Sequence, residues 1–306
     1  MAKAKSESVV WGVDLTERDP RDFRKMADII GVWKSPKAKL APIAILEVLE
    51  RTPSRMIRKM DVLDAAKDLF DQLLKQVTST QVEDIKLIFQ EKRERPAQTF
   101  LAQARAMGAE LVAVQTHSRR GMKRITMGSF AETLIGISPF PVLTVNPQTR
   151  VPADIATIVF AAKFHHRPDR AFKQAVRWAK ERKAKLVICH KFESPILASP
   201  YGGFGLIVAA ENNQILVSDA LNAARRSLKS WIAIAKRAGV KCEGVIRNEP
   251  GRIAETVLGV ANEYRADAIV MSTHMGPLGQ RLFGSAAREV LMTASCPVIV
   301  VHEEKP

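Results

Sequence analysis

Ala268-Ile-Val-Met-Ser-Thr-His274, then Gly284-Ser285, then Cys296-Pro-Val-Ile-Val-Val301 join two apolar runs of strand length through a glycine and a helix-like segment. The same marks occur once before. Thr116-His117 precedes Thr273-His274 by 157 residues, and Gly128-Ser129 precedes Gly284-Ser285 by 156. Pro141-Val142 precedes Pro297-Val298, again by 156. The glycine-to-proline distance is 13 residues in both halves. Matched features at one offset mark an internal repeat. The joint falls near Gln148–Ala153, which carries Pro152, follows Pro147 and has no apolar run. Two domains are expected, residues 1–149 and 150–306.

Working outward, each copy alternates strand and helix signals. In the first, Val9–Val13, Ala41–Leu49, Val82–Phe89, Leu111–Val114 and Val142–Val145 read as strands. Arg21–Trp33, Val62–Val77, Ala97–Met107 and Ser129–Ile137 read as helices, with Gly108 as a left-handed cap. In the second, the strands are Ile155–Ala162, Leu186–Cys189, Cys242–Ile246, Ala268–Met271 and Val298–Val301. Its helices are Asp169–Lys183, Asn213–Ala238, Arg252–Tyr264 and Ser285–Thr293. Continuous apolar strands alternating with helices predict a parallel sheet covered on both faces. Right-handed crossovers make each copy a doubly wound α/β domain. Phe192–Ala210, with Pro195, Pro200 and Gly202-Gly203, reads as a long loop.

Composition agrees. A length of 306 residues fits two domains, and 46% hydrophobic with 26% charged residues excludes a disordered or fibrous chain. The net charge of +15 points to an anionic partner or to an ordinary basic surface. Residues 1–150 hold 25 basic and 18 acidic side chains, the remainder 22 and 14, so no basic tail carries the excess. Nucleic-acid binding is disfavoured, because aromatics are 6% and do not interleave with the basic residues. The segment at Lys3 and Lys5 has no apolar core for a secretory signal, and no run approaches a membrane span of about 20 residues. Cys189, Cys242 and Cys296 form no metal motif or disulfide framework. A cytoplasmic protein is expected.

At the end of copy two the chain resembles the universal stress protein family. That family ends with a strand, a Gly-x-x-Gly-(nine residues)-Gly-Ser/Thr loop, a helix and a strand often reading Pro-Val-Leu-Val-Val. Val240-Lys-Cys-Glu-Gly-Val-Ile-Arg247, Gly251-Arg-Ile-Ala-Glu255 and Ala266-Asp-Ala-Ile-Val270 fit as well. Copy one matches at Ala109-Glu-Leu-Val-Ala-Val-Gln-Thr-His117 and Gly128-Ser-Phe-Ala-Glu132. The resemblance implies two tandem five-stranded parallel-sheet domains of the adenine nucleotide alpha hydrolase-like kind. It implies pairing of the copies through their last strands as a pseudo-dimer, with further homodimerisation of whole chains. It also implies ATP or another adenine nucleotide across the carboxyl ends of the strands, where amides and a helix N-terminus meet phosphates.

In copy one the resemblance implies ligand positions Asp14, Val48, Gln115, Thr116, Ser118, Gly128 and Ser129. Asp14 matches the family's acidic residue near the ribose. Gln115 and Ser118 stand where the family has glycines, and the nine-residue gap 119–127 is intact. Arg119, Arg120, Lys123 and Arg124 either face phosphates or form a solvated basic loop. In copy two the positions are Lys163, Ser272, Gly276, Gly279, Gly284 and Ser285. Lys163 reverses the charge of the family's Asp, Met275 replaces a glycine, and the following gap is one residue short. Lys191 falls near an apolar position beside the base. The pattern thus resembles in part the branch that binds no nucleotide.

No catalytic group or metal site is assigned. His117 and His274 recur as loop residues, and His165-His166 lacks a third ligand. Ser129 and Ser285 read as helix N-caps. Three readings stay open: a nucleotide-binding sensor or interaction protein of the stress response, a ligand-free scaffold for an unknown protein partner, and a weak ATPase.

Overall fold

The computed structural model describes residues 8–15, 20–35, 38–48, 59–75, 85–91, 95–116, 127–164, 168–193, 210–273 and 284–303. Copy one runs β1 (Ser8–Val13), α1 (Pro20–Trp33), β2 (Lys39–Val48), α2 (Lys59–Lys75), β3 (Lys86–Glu91), α3 (Pro96–Ala106), β4 (Ala109–Gln115), α4 (Ser129–Ile137) and β5 (Val142–Val145). Copy two runs β6 (Thr157–Ala161), α5 (Arg170–Glu181), β7 (Lys185–Lys191), α6 (Ala210–Arg237), β8 (Cys242–Arg247), α7 (Ile253–Glu263), β9 (Ala268–Thr273), α8 (Ser285–Thr293) and β10 (Val298–His302). The two element orders are identical, as the repeat requires.

The chain divides into two compact units, Met1–Asp154 with Thr273–Pro306, and Ile155–Ser272. The first holds strands in the order β3-β2-β1-β4-β5-β10. Its first five strands are parallel, and β10 joins β5 antiparallel. The second unit holds β9-β6-β7-β8, all parallel. Strand order reverses at the β1/β4 junction, where open α/β sheets place their ligand crevice.

The final strands of the two copies therefore meet, as expected. Leu143 lies opposite Ile299, its own counterpart at the 156 offset. Thr144 Oγ1 donates to the Val298 carbonyl at 2.8 Å, and Asn146 Nδ2 donates to the Leu291 and Ala294 carbonyls at 3.1 and 2.8 Å. Each strand lends the other the ladder bonds that an edge would leave open. Arg288 of α8 pairs with Glu132 of α4, again repeat counterparts. That contact is attractive only because the copies differ in sign at this position.

Amphipathic spacing forms the helices. Phe23, Met26, Ala27, Ile30 and Trp33 line the buried side of α1. α3 starts with Pro96, whose missing N–H costs nothing at that position, and is followed by Gly108 at φ 67°. In copy two Asp169 caps α5 by accepting from the Phe172 N–H at 2.7 Å. Phe160, Phe164, Phe172 and Trp231 pack as one aromatic cluster, with Trp231 4.6 Å from Phe172 between ring centroids. α6 presses Leu228 so close to β8 that a Cβ at Gly244 would sit 2.3 Å from it.

Three expectations change. The N-caps of α4 and α8 are Gly128 and Gly284, and Ser129 and Ser285 are the first helical residues, exposed and without a capping role. The extended dihedrals that end the preceding segment fall one residue earlier than the serines. The long loop ends sooner than expected, because Ala210 already opens α6; 194–209 lie outside the described residues. Lastly, Val62, Ala65, Ala66, Leu69, Leu73 and Val77 recur at helical spacing, yet of these Leu73 is buried and Leu69 exposed, with Phe70 buried beside it.

Candidate functional site

At the β1/β4 junction a cleft of about 650 Å³ opens among copy-one residues. The carboxyl end of β1 supplies Gly12, Val13 and Asp14; that of β4 supplies Val114 and Gln115. Ile43 and Ile45 of β2 extend the apolar floor. The start of α3 contributes Arg95–Gln98, and α4 contributes Gly128–Ala131, Thr133 and Ile137. Parallel strands end on the same side, so residues remote in sequence converge there.

The helix start is suited to an anion. Gly128 has φ −62° and ψ 140°, values any residue adopts, so backbone conformation does not require a glycine there. Glu132 N–H donates to the Gly128 carbonyl at 3.0 Å. The N–H groups of Ser129, Phe130 and Ala131 precede the first intrahelical bond and have no acceptor within the helix. The positive end of the helix dipole adds to them. Phe130 meets Phe100 edge-on at 5.8 Å and packs over Gly12, where a Cβ would stand 3.4 Å from its ring.

Of the expected copy-one residues, Asp14, Gln115, Gly128 and Ser129 are brought together in this cleft. Gln115 Nε2 donates to the Asp22 carbonyl at 3.2 Å, so its amide is turned toward α1. Thr116 is fully buried, and its hydroxyl lies 3.4 Å and 3.5 Å from the Val145 and Leu291 carbonyls, outside the cleft. Its partners come from α8 and β5, which nothing near it in sequence announces. Val48 ends β2 opposite Glu91. Ser118 and the basic residues Arg119, Arg120, Lys123 and Arg124 lie outside the described residues. Arg95, Gln98 and Thr133 were not foreseen as cleft residues. The start of α3 could have pointed to the first two, because it begins at the carboxyl end of a parallel sheet.

The copy-two candidates are divided between the compact units: Lys163 and Ser272 in one, Gly284 and Ser285 in the other. Lys163 is exposed beyond β6, and Ser272 is half-buried in β9. Lys191 Nζ donates to the Glu249 carbonyl. His190, beside it, stacks on Phe164 at 4.5 Å, with Nδ1 2.9 Å from the Ala162 carbonyl. Burial holds its pKa below 6.5 against the opposing pull of that carbonyl and Glu193. Gly276, Gly279, Met275, His117, His274, His165 and His166 lie outside the described residues.

The three cysteines are buried and form no disulfide, and burial pushes Cys189 up to about 12 and Cys242 to about 11. Neither is a thiolate nucleophile at neutral pH. Among the described residues no group of three His, Cys, Asp or Glu side chains could hold a metal ion. Also among them, no helix is long and apolar enough to cross a membrane.

The family model described as the universal stress protein family matches residues 6–146 and again 155–302. This chain belongs to that family. A universal stress protein of Methanocaldococcus jannaschii is 33% identical over 143 residues, covering 44% of this chain and 75% of that protein. A crystal structure of a universal stress protein from Archaeoglobus fulgidus matches with a TM-score of 0.66 at 15% identity, covering 96% of this chain and 98% of that one. A putative universal stress protein from Pseudomonas aeruginosa matches with a TM-score of 0.56 at 19% identity, covering 98% and 93%. At those identities the two structures speak to the fold. As a universal stress protein, the chain is a tandem member, with one family domain on each side of the Pro147–Pro152 joint.

Proposed function

We propose that this universal stress protein is a cytoplasmic stress-response sensor whose copy-one cleft takes an adenine nucleotide, and that it acts through protein contacts and not through turnover. The observation that carries the reading is the cleft itself. It joins Asp14, an acceptor for ribose hydroxyls, to the amides at the start of α4 that have no acceptor within the helix, over an apolar floor of Val13, Ile43, Ile45 and Val114. A base, a sugar and a phosphate each find matching chemistry in one space. Whole chains are further proposed to dimerise.

One observation favours the ligand-free scaffold instead. Gln115 fills the place of a family glycine, and its amide is bonded to the Asp22 carbonyl. The experiment that separates the two is mass spectrometry of small molecules released from denatured protein, followed by calorimetric titration with ATP. Release of an adenine nucleotide, or saturable ATP binding at a single site without hydrolysis, is expected. Absence of both at millimolar ATP sinks the sensor and leaves the scaffold.

A further inference from the structure

The two copies open their third helices with the same residue and different partners. Arg95 precedes α3 and Arg252 precedes α7, separated by the same 157 residues that relate Thr116 to Thr273. Both arginines are N-caps with extended dihedrals, φ −104° and ψ 99° for Arg95, φ −81° and ψ 153° for Arg252. Both hold the first turn alike: the Thr99 and Thr256 N–H groups donate to the Arg95 and Arg252 carbonyls, each at 3.1 Å.

The third helical residue separates them. In copy two it is Glu255, whose Oε1 accepts from Arg252 Nε at 3.0 Å and from Nη2 at 2.8 Å. Its Oε2 accepts from the Arg252 backbone N–H at 2.9 Å. These bonds hold the carboxyl below its usual range, the backbone N–H foremost and the guanidinium next. Arg252 is thus neutralised where it stands and serves the helix start. In copy one the residue is Gln98, which carries no charge. Arg95 forms no ion pair with a described residue, and both Arg95 and Gln98 line the cleft.

We propose that Arg95 is the cationic anchor of the copy-one cleft, binding the phosphate of its ligand. Gln98 preserves this role by withholding the carboxylate that occupies Arg252. The inference rests on the nucleotide reading of that cleft. A guanidinium is permanently charged and presents a planar fork that matches phosphate oxygens. A side-chain cation also needs no close backbone approach, so it suits a site where Gln115 stands in place of a family glycine.

The test is calorimetric titration of the full chain and three variants with ATP, adenosine and inorganic pyrophosphate. Arg95→Gln is expected to weaken ATP by about tenfold or more and to leave adenosine unchanged. Gln98→Glu rebuilds the copy-two pair: it is expected to weaken ATP comparably while raising the melting temperature. That opposite pair of signs excludes simple unfolding. Arg252→Gln is expected to leave ATP binding unchanged. If the wild type binds ATP and neither Arg95→Gln nor Gln98→Glu alters its affinity, the anchor is wrong and the nucleotide site stands. Binding of pyrophosphate that depends on Arg95, with neither ATP nor adenosine bound, overturns the nucleotide reading and keeps the anchor. Binding of none of the three overturns both.

Discussion

Copy one sets Arg95 beside Gln98 at the mouth of a cleft; copy two sets Arg252 against Glu255 on an exposed helix start. The first-strand end differs in the same sense, with Asp14 in one copy and Lys163 in the other. Lys191 donates to the Glu249 carbonyl, and His190 is stacked and partly buried. Duplication relieves each copy of the need to do everything. Copy one lines a cleft with Asp14 and Arg95, and copy two turns Arg252, Lys191 and His190 into contacts within the protein. A polar side chain bonded to its own protein has less to offer a ligand.

That contrast can be broken in stages. The largest effect belongs to the structural side. Trp231 is buried in the aromatic cluster of copy two, and Trp231→Ala should cost about 3–5 kcal/mol in urea denaturation. ATP affinity of the remaining native protein should not move; a parallel fall would show that the copies do not divide their roles. Next is the ligand side. Gly128→Val places a branched side chain at a cleft-lining helix start whose dihedrals tolerate it, so affinity for ATP should fall by about tenfold with the fold intact by circular dichroism. Gly284→Val, its counterpart, should leave that affinity alone.

A smaller effect concerns pH. Burial lowers the pKa of His190, so the unfolded chain binds a proton that native copy two resists. Stability from this source is complete above about pH 6.5 and declines as pH falls from there toward the lowered native value. His190→Gln should flatten the slope of melting temperature between about pH 7 and 5; an unchanged slope would assign it elsewhere. The smallest effect compares turns. Gly108 at φ 67° is answered in copy two by Arg265 at φ 49°, a left-handed position that disfavours a side chain. Arg265→Gly should stabilise copy two by about 1 kcal/mol or less, read as a shift in the denaturation midpoint.

Much of this molecule is legible without coordinates. Gly128, Pro141 and their counterparts 156 residues on reveal the duplication, and apolar runs such as Leu111–Val114 reveal strands covered on both faces. α4, α8 and β5 begin and end where periodicity places them. The site was less open to reading. Thr116 belongs to a recurring Thr-His pair, yet its hydroxyl faces carbonyls 29 and 175 residues away. Arg95 sits in a run of charged residues, Glu91 to Arg95, with no local mark that separates it from its neighbours.

Local spacing and the repeat offset are properties of the chain, and they sufficed for the α/β class and the tandem organisation, while the resemblance of its motifs supplied the family and the pairing of the last strands. Which side chains share a cleft is a property of strand order. Parallel crossovers bring the ends of β1 and β4 together with the starts of α3 and α4, although these lie about a hundred residues apart. Whether an arginine there stays available depends on its neighbour one helical turn away. Gln98 and Glu255 are one amide and one carboxylate, and only the folded geometry of each helix start reveals that the difference matters.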